Sequence, residues 1–276
     1  MLRTLDLFSG IGGFSLGLER TGGFRTVAFC EIGAFQTKVL SKHWPEVPVY
    51  GDVKKLSASR LAADGVTVDV ICGGFPCQDV SNAGKRIGID GERSGLWKEY
   101  ARLVGELRPR YVIVENVAAL LGRGFSRVLG DLAALGYDAE WHCIPAAAIG
   151  ADHLRDRLWI IAYPGGPNSN DPACRGAECA QKVGKDASHN LCKGLQGRGE
   201  TGADCQCPQP PRFTFSFTDA LSREYRALVP VLGRGFHGIP NRVDRLSALG
   251  NAVVPQIPEL IGHAIIAYEV GAQNHA

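Results

Sequence analysis

A thiol, a carboxylate and two guanidinium groups fall where an α/β protein does its chemistry. Cys77 follows Gly73-Gly74-Phe75-Pro76, directly after the apolar run 68–72. The proline and glycines set it in a rigid turn at a strand's carboxyl end, which favours a nucleophile over a core thiol. Cys72, inside the run, reads as a buried structural cysteine. Glu115 ends a second apolar run, 111–114, and there a carboxylate is either a structural cap or an acid beside the thiol. Arg155 and Arg157 alternate into the run 158–162 and so point the same way, able to grip a phosphate or a base. Their plainer reading is a solvated edge with Asp156 as counter-ion.

Near the start, Asp6-Leu7-Phe8-Ser9-Gly10-Ile11-Gly12-Gly13-Phe14 reads as a strand running through a glycine-rich turn into a helix. Such a turn lets backbone approach a ligand, and the helix start offers unpaired N–H groups. A tight turn with no ligand fits equally well. No Gly-Lys-Ser/Thr follows, which disfavours a phosphate-binding loop of that type. Glu31, at the end of the second strand, stands where a ribose hydroxyl pair can be held, and Asp52, after the third, could receive a base amino group. Taken alone, carboxylates in such places are most often just solvated loop residues.

The elements that must carry these residues alternate. Strands are predicted at 2–8, 25–30, 68–72, 111–115 and 158–163, with helices at 14–20, 34–43, 96–107 and 126–135 between them. That alternation predicts a mostly parallel sheet covered on both faces. Residues 164–240 differ in texture, with little periodicity and five of the chain's nine cysteines. They read as a small separate domain or a long insertion. A helical pattern returns after Asn241, with Pro255 and Pro258 placed to open a final helix over 259–268.

Composition narrows the class. Of 276 residues, 45% are hydrophobic and 21% charged, as in a globular protein, and no apolar run reaches membrane-spanning length. With 30 basic against 28 acidic residues, nucleic-acid binding must come from a local patch. With no export signal to read, a disulfide framework is not expected and the cytoplasm is the predicted compartment. Cys174-x4-Cys179 and Cys205-x-Cys207 lack the paired spacing of zinc domains, so no metal is expected.

Taken in order, Asp-Leu-Phe-Ser-Gly-Ile-Gly-Gly at 6–13, Gly-Phe-Pro-Cys-Gln at 74–78, Glu-Asn-Val at 115–117, Arg-Asp-Arg at 155–157 and Gly-Asn-Ala-Val-Val-Pro-Gln at 250–256 resemble the ordered motifs of DNA (cytosine-5) methyltransferases of the restriction-modification type. The resemblance implies a Rossmann-like S-adenosylmethionine-dependent domain over 1–163, completed by 241–276. A target-recognition domain would occupy 164–240. It implies that Phe8, Gly10, Gly12, Gly13, Glu31, Asp52, Pro76, Leu96 and Asn251 hold S-adenosylmethionine. By the same resemblance Cys77 attacks C6 of a flipped cytosine, Glu115 holds N3 and Arg155 holds O2, with Arg157 in support. Ser81, Lys85 and Arg86 lie in a stretch similar to the family's DNA-closing loop, and Arg198, Arg212 and Arg234 are candidate contacts to bases or phosphates. Double-stranded DNA is the implied partner, a cognate restriction endonuclease would act separately, and a monomer is expected. His153 departs from the family's usual Gln, and 241–246 match its ninth motif only loosely. A tRNA cytosine-5 methyltransferase and a catalytically silent DNA-binding relative are the alternatives. Gln78 and the distinct variable region favour DNA over tRNA, and intact Cys77, Glu115 and Arg155 argue against a silent relative.

Overall fold

The computed structural model describes residues 1–76, 95–151, 153–165 and 248–273. Among these residues seven strands form one sheet in the order β3-β2-β1-β4-β5-β7-β6. β1 (Leu2–Leu7), β2 (Phe24–Cys30), β3 (Val49–Tyr50), β4 (Val70–Gly73) and β5 (Tyr111–Val117) run parallel. β7 (Asp156–Pro164) is antiparallel both to β5 and to the edge strand β6 (Tyr137–Pro145). The helices are α1 (Gly13–Arg20), α2 (Ala34–His43), α3 (Ala58–Ala63), α4 (Leu96–Leu107), α5 (Phe125–Ala134) and α6 (Gln256–Gln273).

The central strands are mostly apolar because both of their faces are covered. Along β5, Val112 and Val114 pack with Trp97, Tyr100 and Leu103 of α4 and Val128 and Leu132 of α5. Tyr111 and Ile113 alternate with them and join Phe14 and Leu18 of α1 and Ile257, Ile261 and Ile265 of α6. The expected Rossmann-like, mostly parallel α/β sheet is therefore present, with one strand reversed. The predicted strands and helices appear within a few residues of their expected bounds. Two elements are additions: β6, and the six-residue α3. The stretch 166–247, which includes most of the expected target-recognition domain, lies outside the described residues.

α6 is bound to the beginning of the chain. Arg20 pairs with Glu259 at 3.5 Å, and Glu269 accepts hydrogen bonds from Arg110 and Tyr111. Two glycines of α1 make room for the backbone leading into α6. A Cβ on Gly13 would stand 2.5 Å from the carbonyl oxygen of Val253, and one on Gly17 would overlap that of Pro255. The strand order reverses direction between β1 and β4, and in open α/β sheets a crevice forms outside the carboxyl ends of the strands at such a switch point.

Candidate active site

The turns after β1, β2, β3 and β4 and the end of β5 line one cleft of about 660 Å³ at that switch point. Phe8 and Gly10 come from the first turn, and Glu31, Ile32 and Asp52 from beyond β2 and β3. Gly74, Phe75 and Pro76 follow β4, and Glu115 and Asn116 end β5. Leu96, Arg155, Arg157, Ala248 and Asn251 complete the wall. Seven of the nine residues implied to hold a cofactor thus share one cavity with Glu115 and both arginines.

Gly12 and Gly13 do not line the cleft. Gly12, at φ 84°, ends the turn, and a Cβ there would lie 2.7 Å from the Trp44 ring. Gly13 is bare for the sake of Val253, as above. Gly10 differs: its φ of 55° suits glycine, and a Cβ would meet nothing within 4 Å because the cleft itself is there. Phe8 holds a left-handed φ of 53°, a strain of about 1–3 kcal/mol that surrounding contacts must maintain.

The Glu31 carboxylate spans the turn. Its Oε2 accepts from Gly10 N–H at 2.8 Å and its Oε1 from Gly33 N–H at 2.7 Å, and each oxygen keeps a second lone pair for a ligand. Asp52 Oδ1 accepts from Lys54 N–H at 3.0 Å, which fixes the side chain at the start of a 3₁₀ turn. Cys30 sits on the cleft floor, where burial and the carboxylates of Glu31 and Asp52 push its thiol up to about 12. Burial likewise holds Cys72 well above the ordinary thiol range, in keeping with a structural role.

Beneath the turn lies a fully buried acid, Asp6. Its Oδ2 accepts from the Ser15 hydroxyl at 2.8 Å, and its Oδ1 has no protein partner among the described residues. Burial drives its pKa up to about 8, only partly opposed by the Ser15 contacts. Burial thus favours the protonated acid.

Glu115 also lines the cleft and faces Arg157, with Oε1 3.0 Å from Nε. Burial raises the Glu115 pKa, and the two arginines pull it back. Gly74 makes room for this carboxylate, since a Cβ there would lie 2.6 Å from Oε2. Asn116 holds the neighbouring turn, donating from Nδ2 to the Phe75 carbonyl at 3.1 Å. An aromatic ladder of Phe75, Trp97 and Tyr100, with centroids 5.4 and 5.5 Å apart, ties residue 75 to α4.

The two arginines do not act as a pair. Arg155 precedes β7 and holds a left-handed φ of 27°, so the two-residue alternation of a strand does not reach it. It donates to Gly250 O at 2.6 Å and Ala252 O at 2.8 Å, while Arg157 turns to Glu115. Gly74, Asn116 and Ile32 were not singled out individually from sequence. The double glycine before Phe75 was the available signal for Gly74. Cys77, Ser81, Lys85, Arg86, Arg198, Arg212 and Arg234 lie outside the described residues, as do the cysteines of 174–207.

Comparison with known proteins gives this geometry its lineage. The profile of C-5 cytosine-specific DNA methylases matches residues 2–196, well over half of the chain. The chain belongs to this family. Among curated relatives, the type II methyltransferase M2.BsuMI of Bacillus subtilis is 35% identical over 169 residues, 58% of this chain and 42% of that protein. M.Eco47II of Escherichia coli, another type II methyltransferase, is 38% identical over 164 residues, 57% of this chain and 38% of the relative. The chain therefore spans about two fifths of the length of these curated relatives. Its fold resembles the solved methyltransferase EhMeth of Entamoeba histolytica, at 20% identity and a TM-score of 0.52 over 60% of this chain and 54% of that one. Among the described residues no helix is long and apolar enough to cross a membrane.

Proposed function

We propose that the protein transfers a methyl group from S-adenosylmethionine to C5 of a cytosine flipped out of double-stranded DNA. The observation that carries this reading is the single cleft in which the Gly10–Glu31 turn and the Glu115–Arg157 pair face one cavity. The cofactor fits the residues present. The space beside Gly10 is open, Glu31 offers two free lone pairs to ribose hydroxyls, and Phe8 and Leu96 supply apolar wall. Asp52 would receive the adenine amino group, and Asn251 would close the pocket. Gly12 and Gly13 would serve the cofactor indirectly, by shaping the turn.

Cytosine C5 is too weak a nucleophile to take a methyl group unaided. Addition of the Cys77 thiolate to C6 makes C5 enamine-like, and a proton held by Glu115 at N3 stabilises the charge that develops. Burial of Glu115 favours the protonated form this needs, while Arg157 keeps the carboxyl fixed. S-adenosylmethionine, when bound, supplies the methyl group. Loss of the C5 proton then reforms the double bond and releases Cys77. Flipping the base costs a few kcal/mol and is what opens C5 and C6 to attack.

The relatives' type II assignment supports methylation of a specific short sequence, with a separate restriction endonuclease as the associated activity. On this reading residues 164–240 choose the sequence, and the enzyme works as a cytoplasmic monomer. The test is a duplex carrying 5-fluorocytosine, incubated with protein and S-adenosylmethionine and analysed by peptide mass spectrometry. Fluorine blocks the final elimination, so an adduct on Cys77 is expected, together with loss of methylation in Cys77→Ser. An adduct on another residue, or an unmodified protein that still methylates DNA, overturns the mechanism.

A further inference from the structure

Residues 250–252 are held from two sides. On one side their continuation, Val253 to Pro255, lies against the bare backbone of Gly13 and Gly17. On the other stands Arg155, whose Nη1 reaches Gly250 O at 2.6 Å and whose Nη2 reaches Ala252 O at 2.8 Å. These two acceptors flank Asn251, which lines the cleft.

Arg155 is itself anchored. Ala146 N–H donates to the carbonyls of Leu154 and Arg155 at 2.8 and 3.3 Å, and the residue keeps a left-handed φ of 27°. Such strain persists only where neighbouring structure over-determines it. A planar guanidinium fork can meet two carbonyls at once, whereas an ammonium is a point donor. With one bond from each terminal nitrogen going to backbone, the orientation of this guanidinium is tied to residues 250–252. Arg157 is the member of the pair in contact with Glu115.

We infer that Arg155 is a positioning residue: it clasps residues 250–252 and thereby sets Asn251 in the wall of the cleft, where it serves the cofactor. The identity of that cofactor rests on the function proposed above, while the clasp does not.

The experiment compares wild type, Arg155→Lys and Arg155→Ala by hydrogen exchange over 248–254 and by calorimetry with S-adenosylhomocysteine, both without DNA. The clasp predicts faster exchange over 248–254 in both variants. It also predicts cofactor-product affinity about tenfold or more weaker in Arg155→Ala, as expected for loss of a charge-assisted hydrogen bond, with the lysine variant intermediate. With DNA, the KM for S-adenosylmethionine should rise more than kcat falls. Exchange as slow as wild type in both variants overturns the inference. So does faster exchange with unchanged affinity, or a fall in kcat alone. Arg155→Lys keeps the charge, so it remains informative if the alanine variant fails to fold. If wild type itself binds no S-adenosylhomocysteine, the functional reading fails together with the cofactor role, and exchange alone decides the clasp.

Discussion

Asp6 makes the stability of this protein fall as pH rises through the neutral range. The carboxyl is fully buried under the first turn, with a folded pKa of about 8 against an ordinary 3.8. Between those values the folded chain holds a proton that the unfolded chain has released. The stabilisation is complete below pH 4, declines as pH rises, and levels off above about 8. From pH 5 to pH 8 the difference amounts to three units, or about 4 kcal/mol at 1.36 kcal/mol per unit. Asp6→Asn keeps the shape, cannot ionise, and still offers an oxygen to the Ser15 hydroxyl. Urea unfolding of both proteins at pH 5, 6.5, 8 and 9, at fixed ionic strength, isolates this one group, because the remaining titrations are common to both. Wild type should lose several kcal/mol more than the variant across that range. Parallel curves would refute the argument and show the acid to be ionised in the fold.

Two substitutions probe the cleft directly. Gly74→Ala places a methyl group on the Glu115 carboxylate, so kcat should fall at least about tenfold with S-adenosylmethionine affinity near wild type, and an unchanged kcat would detach Glu115 from the chemistry. Gly10→Val forces a β-branched residue to φ 55° and fills the open space beside Glu31, at a strain cost of about 1–2 kcal/mol. Cofactor binding should vanish in a protein that still unfolds cooperatively, and calorimetry showing intact affinity would remove the turn from the site.

The parallel strands were legible because burial on both faces makes them mostly apolar, and the four helices between them because their spacing is helical. The edge strand was harder to see. Tyr137, Ala139 and Trp141 do alternate with Asp138, Glu140 and His142, but only one face packs on the core, so its apolar signal is half as dense. The positions of Glu31, Asp52 and Glu115 followed from their places at strand ends. What the chain order does not contain is the identity of distant neighbours. Bare backbone at Gly12 and Gly13 reads the same whether it admits a ligand or, as here, Trp44 and Val253. The divergence of Arg155 from Arg157 has a similar origin, since it depends on where the β7 ladder begins and on carbonyls about a hundred residues downstream.

The packing of α6 on α1 carries a consequence for biosynthesis. Ile257, Ile261 and Ile265 share a core with Phe14 and Leu18 but leave the ribosome more than two hundred residues after them. At roughly 5–20 residues per second that interval lasts tens of seconds. Throughout it one face of the nascent sheet is uncovered, and the backbone that lodges against Gly13 and Gly17 has yet to be made. Completion of this face therefore waits until α6 has been made, and until then the partly made sheet exposes the apolar surface that α6 covers.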